Sequence, residues 1–259
     1  MNQELVGHIR SAGFPHVSDL IHTFIGGSEL HGAKLGGTDD MDIYGVYVPR
    51  PSLTLGLRTE EHFVWSTAGD DRRNTAADVD VTLYTLRKWA ALASKGNPTA
   101  LHFLFSPTDG HPTWSLVVRG RDLFLARAAA EHFIRFAQDQ IKRLTGESGR
   151  GKKGQRPDLE VQYGFDTKAA MHSIRLLYEC LELMREHTIT LPRPEKDVLI
   201  SIRRGDHSFE RVLGMAKELM DECERAAQKS TLPERVDVDS ISELISDAYI
   251  AHWQAHKYV

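Results

Sequence analysis

Two cysteines in 259 residues, Cys180 and Cys223, are too few for a disulfide framework and lack zinc-ligand spacing. Both sit in apolar-patterned surroundings, so a reducing cytoplasm is the expected setting. No apolar run approaches the roughly 20 residues that a membrane-spanning helix needs, so no membrane association is expected. The opening Met1-Asn2-Gln3-Glu4 has no basic patch leading into an apolar core, and is not read as a secretory signal. A strong charge of either sign is also missing. The net charge of −4 argues against wholesale coating of nucleic acid, while leaving room for a local basic groove. Internal repeats and low-complexity tracts are absent. What remains, with 41% apolar and 26% charged residues, is a chain able to bury one large core or two smaller ones.

The first part of the chain reads as α/β, with a short helix over Gln3 to Ala12. Strands are predicted over Leu20 to Ile25, Asp40 to Val48, His62 to Ser66 and Asp78 to Tyr84, divided by glycine- and proline-bearing breaks. In the last of these, Asp78, Asp80 and Thr82 alternate with Val79, Val81 and Leu83. After Tyr84 the period becomes helical. Helices are predicted over Leu123 to Leu144, Phe165 to His187, Glu195 to Arg204, Ser208 to Gln228 and Val238 to Trp253. The change places a sheet-bearing domain over residues 1–110 and a helical domain over 111–259.

Two features near the N-terminus carry chemistry. Gly26-Gly27-Ser28 follows an apolar strand, and Asp40-Met41-Asp42 opens the next one. Residues i and i+2 of a strand project from one face, so Asp40 and Asp42 stand side by side, with Asp39 left to the loop. Two carboxylates about 4 Å apart repel by about 4 kcal/mol at an effective dielectric near 20. Water can screen such a pair, and solvated Asp-x-Asp pairs are common. Magnesium can also offset the charge, since it takes one or two carboxylates together with phosphate oxygens. A third carboxylate on a neighbouring strand would complete a two-metal site. Asp80 is the first choice for it and Asp78 the second. The glycines allow backbone N–H groups to approach a phosphate, and the Ser28 hydroxyl can donate to one. A plain turn with a capping serine is the simpler reading of that segment.

Together these residues resemble the polymerase-β-type nucleotidyltransferase superfamily. The chain is more closely similar to the group of nucleotidyltransferases found beside RNA-ligase genes. The similar stretches are Gly27-Ser28 through Gly32, Thr38 to Asp42, Gly45 to Val48, Lys95-Gly96-Asn97-Pro98, Tyr163 to Lys168 continuing through Met171 to Leu177, and Ile202 to Gly205. The resemblance implies an α+β fold, a palm-like mixed sheet with a C-terminal helical domain closing the nucleotide cleft. It implies that Gly27 and Ser28 bind the triphosphate and that Asp40, Asp42 and Asp80 are catalytic, binding two magnesium ions, or manganese. The implied reaction transfers an NMP from an NTP, ATP among them, to an acceptor hydroxyl or phosphate. An RNA end is one acceptor; a protein side chain or small molecule suits the residues equally. A non-catalytic nucleotide- or partner-binding module on the same fold is the alternative. Three positions depart from the group's pattern: Asp39 replaces a serine, His102 a glutamate, and Glu29 a small or basic residue.

Lys168, His172 and Arg175 fall at i, i+4 and i+7 and make a polar stripe beside the apolar face of Met171, Ile174, Leu177 and Leu181. Glu179 and Glu182 could pair with them on a solvated face. The resemblance instead implies that the stripe binds the nucleotide's phosphates. Elsewhere, Gly146 to Lys153 nearly spells a P-loop, but a helical pattern precedes it where a strand is required, so it reads as a basic loop. His252 and His256, at i, i+4, read as a solvated helix end. Trp65, Trp89, Trp114 and Trp253 read as core or interface.

Overall fold

The structure, a computed structural model, describes residues 2–36, 39–69, 72, 75–144 and 156–259. The basic loop over Gly146 to Lys153 lies outside them. The chain forms two compact units that are not consecutive in sequence. One takes Met1–Lys95, Thr99–Phe124 and Val236–Val259; the other takes Gly96–Pro98 and Leu125–Arg235. The division therefore differs from a single change near residue 110, because the last helix joins the sheet.

The sheet unit starts with α1 (Gln3–Ser11), capped by Asn2, whose side chain accepts from the Glu4 amide. Four strands follow, β1 (Leu20–Ile25), β2 (Met41–Tyr47), β3 (His62–Ser66) and β4 (Val79–Thr85), in the order β1-β2-β4-β3. The outer pairs are antiparallel and the central β2–β4 pair is parallel, so the sheet is mixed. Short helices α2 (Gly27–Leu30) and α3 (Pro51–Thr54) sit in the connections. Strand alternation separates two faces. Ile43, Tyr47, Val81 and Leu83 pack with Leu5, Ile9 and Phe14 around α1.

The opposite face carries Phe24, Tyr44 and Val46. Helices α4 (Leu86–Ala93), α5 (Pro98–Phe105) and α6 (Pro112–Arg119) bring buried Trp89, Phe103 and Trp114 to this unit. Phe24 meets Phe103 edge-on at 4.8 Å, and His22 stacks on Trp114 at 4.5 Å. The sequence pattern predicts no helix over α6, which starts just past the division at residue 110.

In the second unit, α7 (Ala129–Leu144), α8 (Pro157–Tyr163), α9 (Thr167–Glu186), α10 (Lys196–Arg203) and α11 (Phe209–Lys229) form the helical body. Helix α9 is its axis, with most of its residues buried. Asp166 caps it by accepting from the Lys168 and Ala169 amides at 3.0 Å each. Helix α7 starts six residues later than its sequence pattern suggests, because a short 3-10 turn occupies Arg121–Phe124.

The C-terminal helix α12 (Val238–Ala255) corrects the reading of His252 and His256 as a solvated end. His252 is fully buried, 3.7 Å from Asp19 Oδ1, and His256 stacks on it with ring centroids 4.0 Å apart. Beyond the helix, Tyr258 donates to Asp19 Oδ1 at 2.7 Å, and the Trp253 indole donates to the Pro49 carbonyl at 3.0 Å. The burial of Trp89, Trp114 and Trp253 agrees with their reading as core.

His22 is fully enclosed beside Ser106 Oγ, 2.8 Å away, and burial pushes its pKa down to about 3. The unfolded chain takes up a proton at this residue as pH falls below 6.5, and the folded chain does not. Stability from His22 is therefore complete above that pH and is lost progressively towards pH 3. Urea melts at pH 6.5 and 5 should differ by about 2 kcal/mol from this group alone, and His22→Gln should narrow the difference.

Candidate active site

Backbone pairing builds the site. In the parallel β2–β4 register, Asp42 lies opposite Asp80. Both project from the face opposite α1, as the alternation with buried Ile43 and Val81 requires. Asp40 precedes β2, and the structure brings it to the same place: Asp40, Asp42 and Asp80 each offer an oxygen within 4.8 Å of the others. All three are half-buried. At that spacing each pair repels by about 3 kcal/mol at a dielectric near 20.

The glycine turn lies against this group. The Gly26 amide donates to the Asp42 carbonyl at 2.7 Å. Gly27 has φ +55, and a Cβ there would sit 2.0 Å from Asp42 Oδ2. A Cβ on Gly26 would sit 2.3 Å from the Tyr44 ring. Only glycine at 27 combines that backbone angle with contact to the Asp42 carboxylate. Ser28 follows in α2, buried, and its carbonyl accepts from the Ala33 amide at 2.9 Å.

Asp78 stands apart from the group. Its carboxylate accepts from the Thr67 hydroxyl, from both Arg72 terminal nitrogens, and from the Thr75 amide and hydroxyl, at 2.6–2.8 Å. The Arg72 guanidinium above all, with Thr67 and Thr75, holds it well below the usual carboxylate range. Two of the departures in sequence have local partners. Glu29 pairs with Lys34 at 2.8 Å. Asp39 is buried and accepts from the Leu35 amide at 3.0 Å, closing the loop ahead of Asp40. The third, His102, meets the His31 ring at 4.8 Å, and both rings are buried, a contact that sequence spacing does not reveal.

On α9, Lys168, His172 and Arg175 are half-buried. Arg175 pairs with Glu179 at 3.3 Å, one turn on, and Glu179 is fully buried. This is the i, i+4 pairing open to the stripe from sequence, though in a buried setting and not on a solvated face.

A family model for RlaP, the RNA repair pathway DNA polymerase beta family, matches residues 1–247. The chain belongs to this family. Membership supports a nucleotidyltransferase kind of function, within a family that usually uses divalent metals. The chain is similar, at 20% identity over 326 residues, to an uncharacterized 38.9 kDa protein from the nrdC-mobD intergenic region of Enterobacteria phage T4. That match covers 89% of this chain and 97% of the phage protein. Among solved structures, a nucleotidyltransferase-like protein from Exiguobacterium sibiricum 255-15 is 12% identical. It covers 88% of this chain and 74% of that one, with a TM-score of 0.30. Among the described residues, no helix is long and apolar enough to cross a membrane.

Two stability measurements probe this geometry. Gly27→Ala should lower the unfolding free energy by about 1–3 kcal/mol. Gly13→Ala, where φ is +83 and nothing stands within 4 Å of the added Cβ, isolates the backbone cost, so the excess at Gly27 measures the clash with Asp42. Arg175→Ala should cost about 3 kcal/mol in denaturant melts, because it removes one partner of a buried ion pair.

Proposed function

We propose that this protein is a metal-dependent nucleotidyltransferase that moves an NMP from an NTP to a hydroxyl or phosphate at an RNA end and releases pyrophosphate. The observation that carries this reading is the convergence of Asp40, Asp42 and Asp80 beside a glycine turn that only glycine can form. The donor set fits the proposed ions: three oxygen ligands, half-exposed, close enough that their mutual repulsion favours a divalent cation. Magnesium, or manganese in its place, would supply the charge that lowers the acceptor's pKa and offsets the leaving oxygen.

The residues then divide the work. Asp40 and Asp42 would hold both ions, and Asp80 would complete the ligand set and take the acceptor's proton. An acceptor oxygen attacks the α-phosphorus, the bond from that phosphorus to the bridging β-oxygen breaks, and pyrophosphate leaves with its electron pair. The Gly27 amide and Ser28 hydroxyl bind the β- and γ-phosphates. Lys168, His172 and Arg175 are assigned to the nucleotide's phosphates from the family resemblance, with Lys168 as a point charge and Arg175, already engaged with Glu179, as the lesser contributor. The family's tie to RNA repair supports an RNA end as acceptor. Two free cysteines suit a reducing cytoplasm as the working compartment.

Incubation with α-labelled NTPs, magnesium and separate pools of RNA, protein and metabolites tests the reading. Label should enter the RNA pool with stoichiometric pyrophosphate. Asp42→Ala should abolish transfer while leaving the circular dichroism spectrum and melting cooperativity intact. Lys168→Ala should raise the KM for NTP by roughly tenfold, the size of one charge-assisted phosphate contact. Retained turnover in Asp42→Ala would refute the assignment. Nucleotide binding with no pyrophosphate release from the wild type would leave a binding module.

A further inference from the structure

We infer that Asp78 is a positioning residue for the carboxylate group, holding the start of β4 in the register that sets Asp80 opposite Asp42. The inference rests on the reading of Asp40, Asp42 and Asp80 as metal ligands. Side chains in a strand alternate between faces, so a slip of one residue between β2 and β4 would carry Asp80 to the α1 face. Asp80 is only the second residue of β4. It sits at the strand end, where pairing frays first, and something must pin that end.

The pins converge on Asp78. Its carbonyl accepts from the Met41 amide at 2.9 Å, the first hydrogen bond to the residue that precedes Asp42. Its carboxylate, only 3% exposed, accepts five hydrogen bonds from three places in the connection between β3 and β4. Thr67 extends the hold into the strand. Its hydroxyl donates to Asp78 Oδ1 at 2.6 Å and accepts from the Val79 amide at 2.9 Å, while its own amide donates to the Val79 carbonyl at 3.0 Å. The carboxylate thus ties Thr67, Arg72 and Thr75 to the start of β4, and its backbone joins that corner to β2. Both oxygens are saturated by donors, so Asp78 acts on the ions only through Asp80 and Asp42.

Asparagine at position 78 keeps the shape but turns an amide NH2 towards donors. In either orientation at least two of the five hydrogen bonds are lost, since Oδ1 accepts two and Oδ2 three. Arg72→Gln removes the two from the guanidinium, and because Arg72 is half-exposed this variant should fold where Asp78→Asn fails to.

The test is a Mn2+ titration of the full chain followed by electron paramagnetic resonance, with Asp42→Ala as the metal-site control. Pyrophosphate release and thermal melting are measured alongside. Asp78→Asn should weaken Mn2+ binding by roughly tenfold or more, the range seen for residues that orient metal ligands, and Arg72→Gln should weaken it less. The NTP KM should move by less than about twofold, and excess Mn2+ should restore turnover. Unchanged Mn2+ affinity in a folded Asp78→Asn, or in Arg72→Gln if the former does not fold, overturns the proposal, even if melting temperatures fall. Wild-type protein that binds Mn2+ through Asp42 but releases no pyrophosphate sinks the transferase reading and leaves this one standing. Wild-type protein that binds no Mn2+ sinks both.

Discussion

The parallel pairing of β2 with β4 is the constraint from which the site follows. It sets Asp42 against Asp80 in a mixed sheet whose other neighbours run antiparallel. Like charges directly across a ladder oppose pairing. The same strands carry buried Ile43, Val46, Val81 and Leu83, and this apolar interior holds the acidic ends together. Burial on both faces of β2 and on one face of β4 therefore bears the cost of a carboxylate cluster at their leading edge.

Among the described residues, three other acidic groups of these segments are engaged by local partners. Asp78 is consumed by Arg72, Thr67 and Thr75, Asp39 by the Leu35 amide, and Glu29 by Lys34. Glu29, Asp39, Asp40, Asp42, Asp78 and Asp80 thus look alike in composition, yet Asp40, Asp42 and Asp80 share one cluster and the other three are held by local partners. The Gly27 contact with Asp42 adds a steric component, fixing where one carboxylate oxygen can stand.

Much of this was legible from residue order alone. β1 and β3 were read to the residue, because apolar, β-branched and aromatic runs end there at glycine or at polar turns. β2 and β4 were read to within a residue at each end, and the alternation along β4 gave Asp80 its face. Parity could not separate Asp78 from Asp80, since both are even-numbered; the distinction comes from Arg72, which lies six residues before Asp78 in a loop with no periodic signal. Nor could spacing show that Glu179, apparently part of a surface stripe, is buried with Arg175. The helical pattern of Val238 to Trp253 was plain, but its destination was not: local pattern carries no record of a partner hundreds of residues away.

That destination bears on how the molecule comes into being. Tyr258 reaches Asp19 across 239 positions, and Asp19 directly precedes β1. During synthesis the strands emerge before Leu125–Arg235, and the helix that covers their root emerges after it. The helical body, drawn mostly from one continuous stretch, can consolidate as it leaves the ribosome. The sheet stays half-dressed until α12 returns to it across that intervening stretch, an order of assembly in which long-range closure sets the pace.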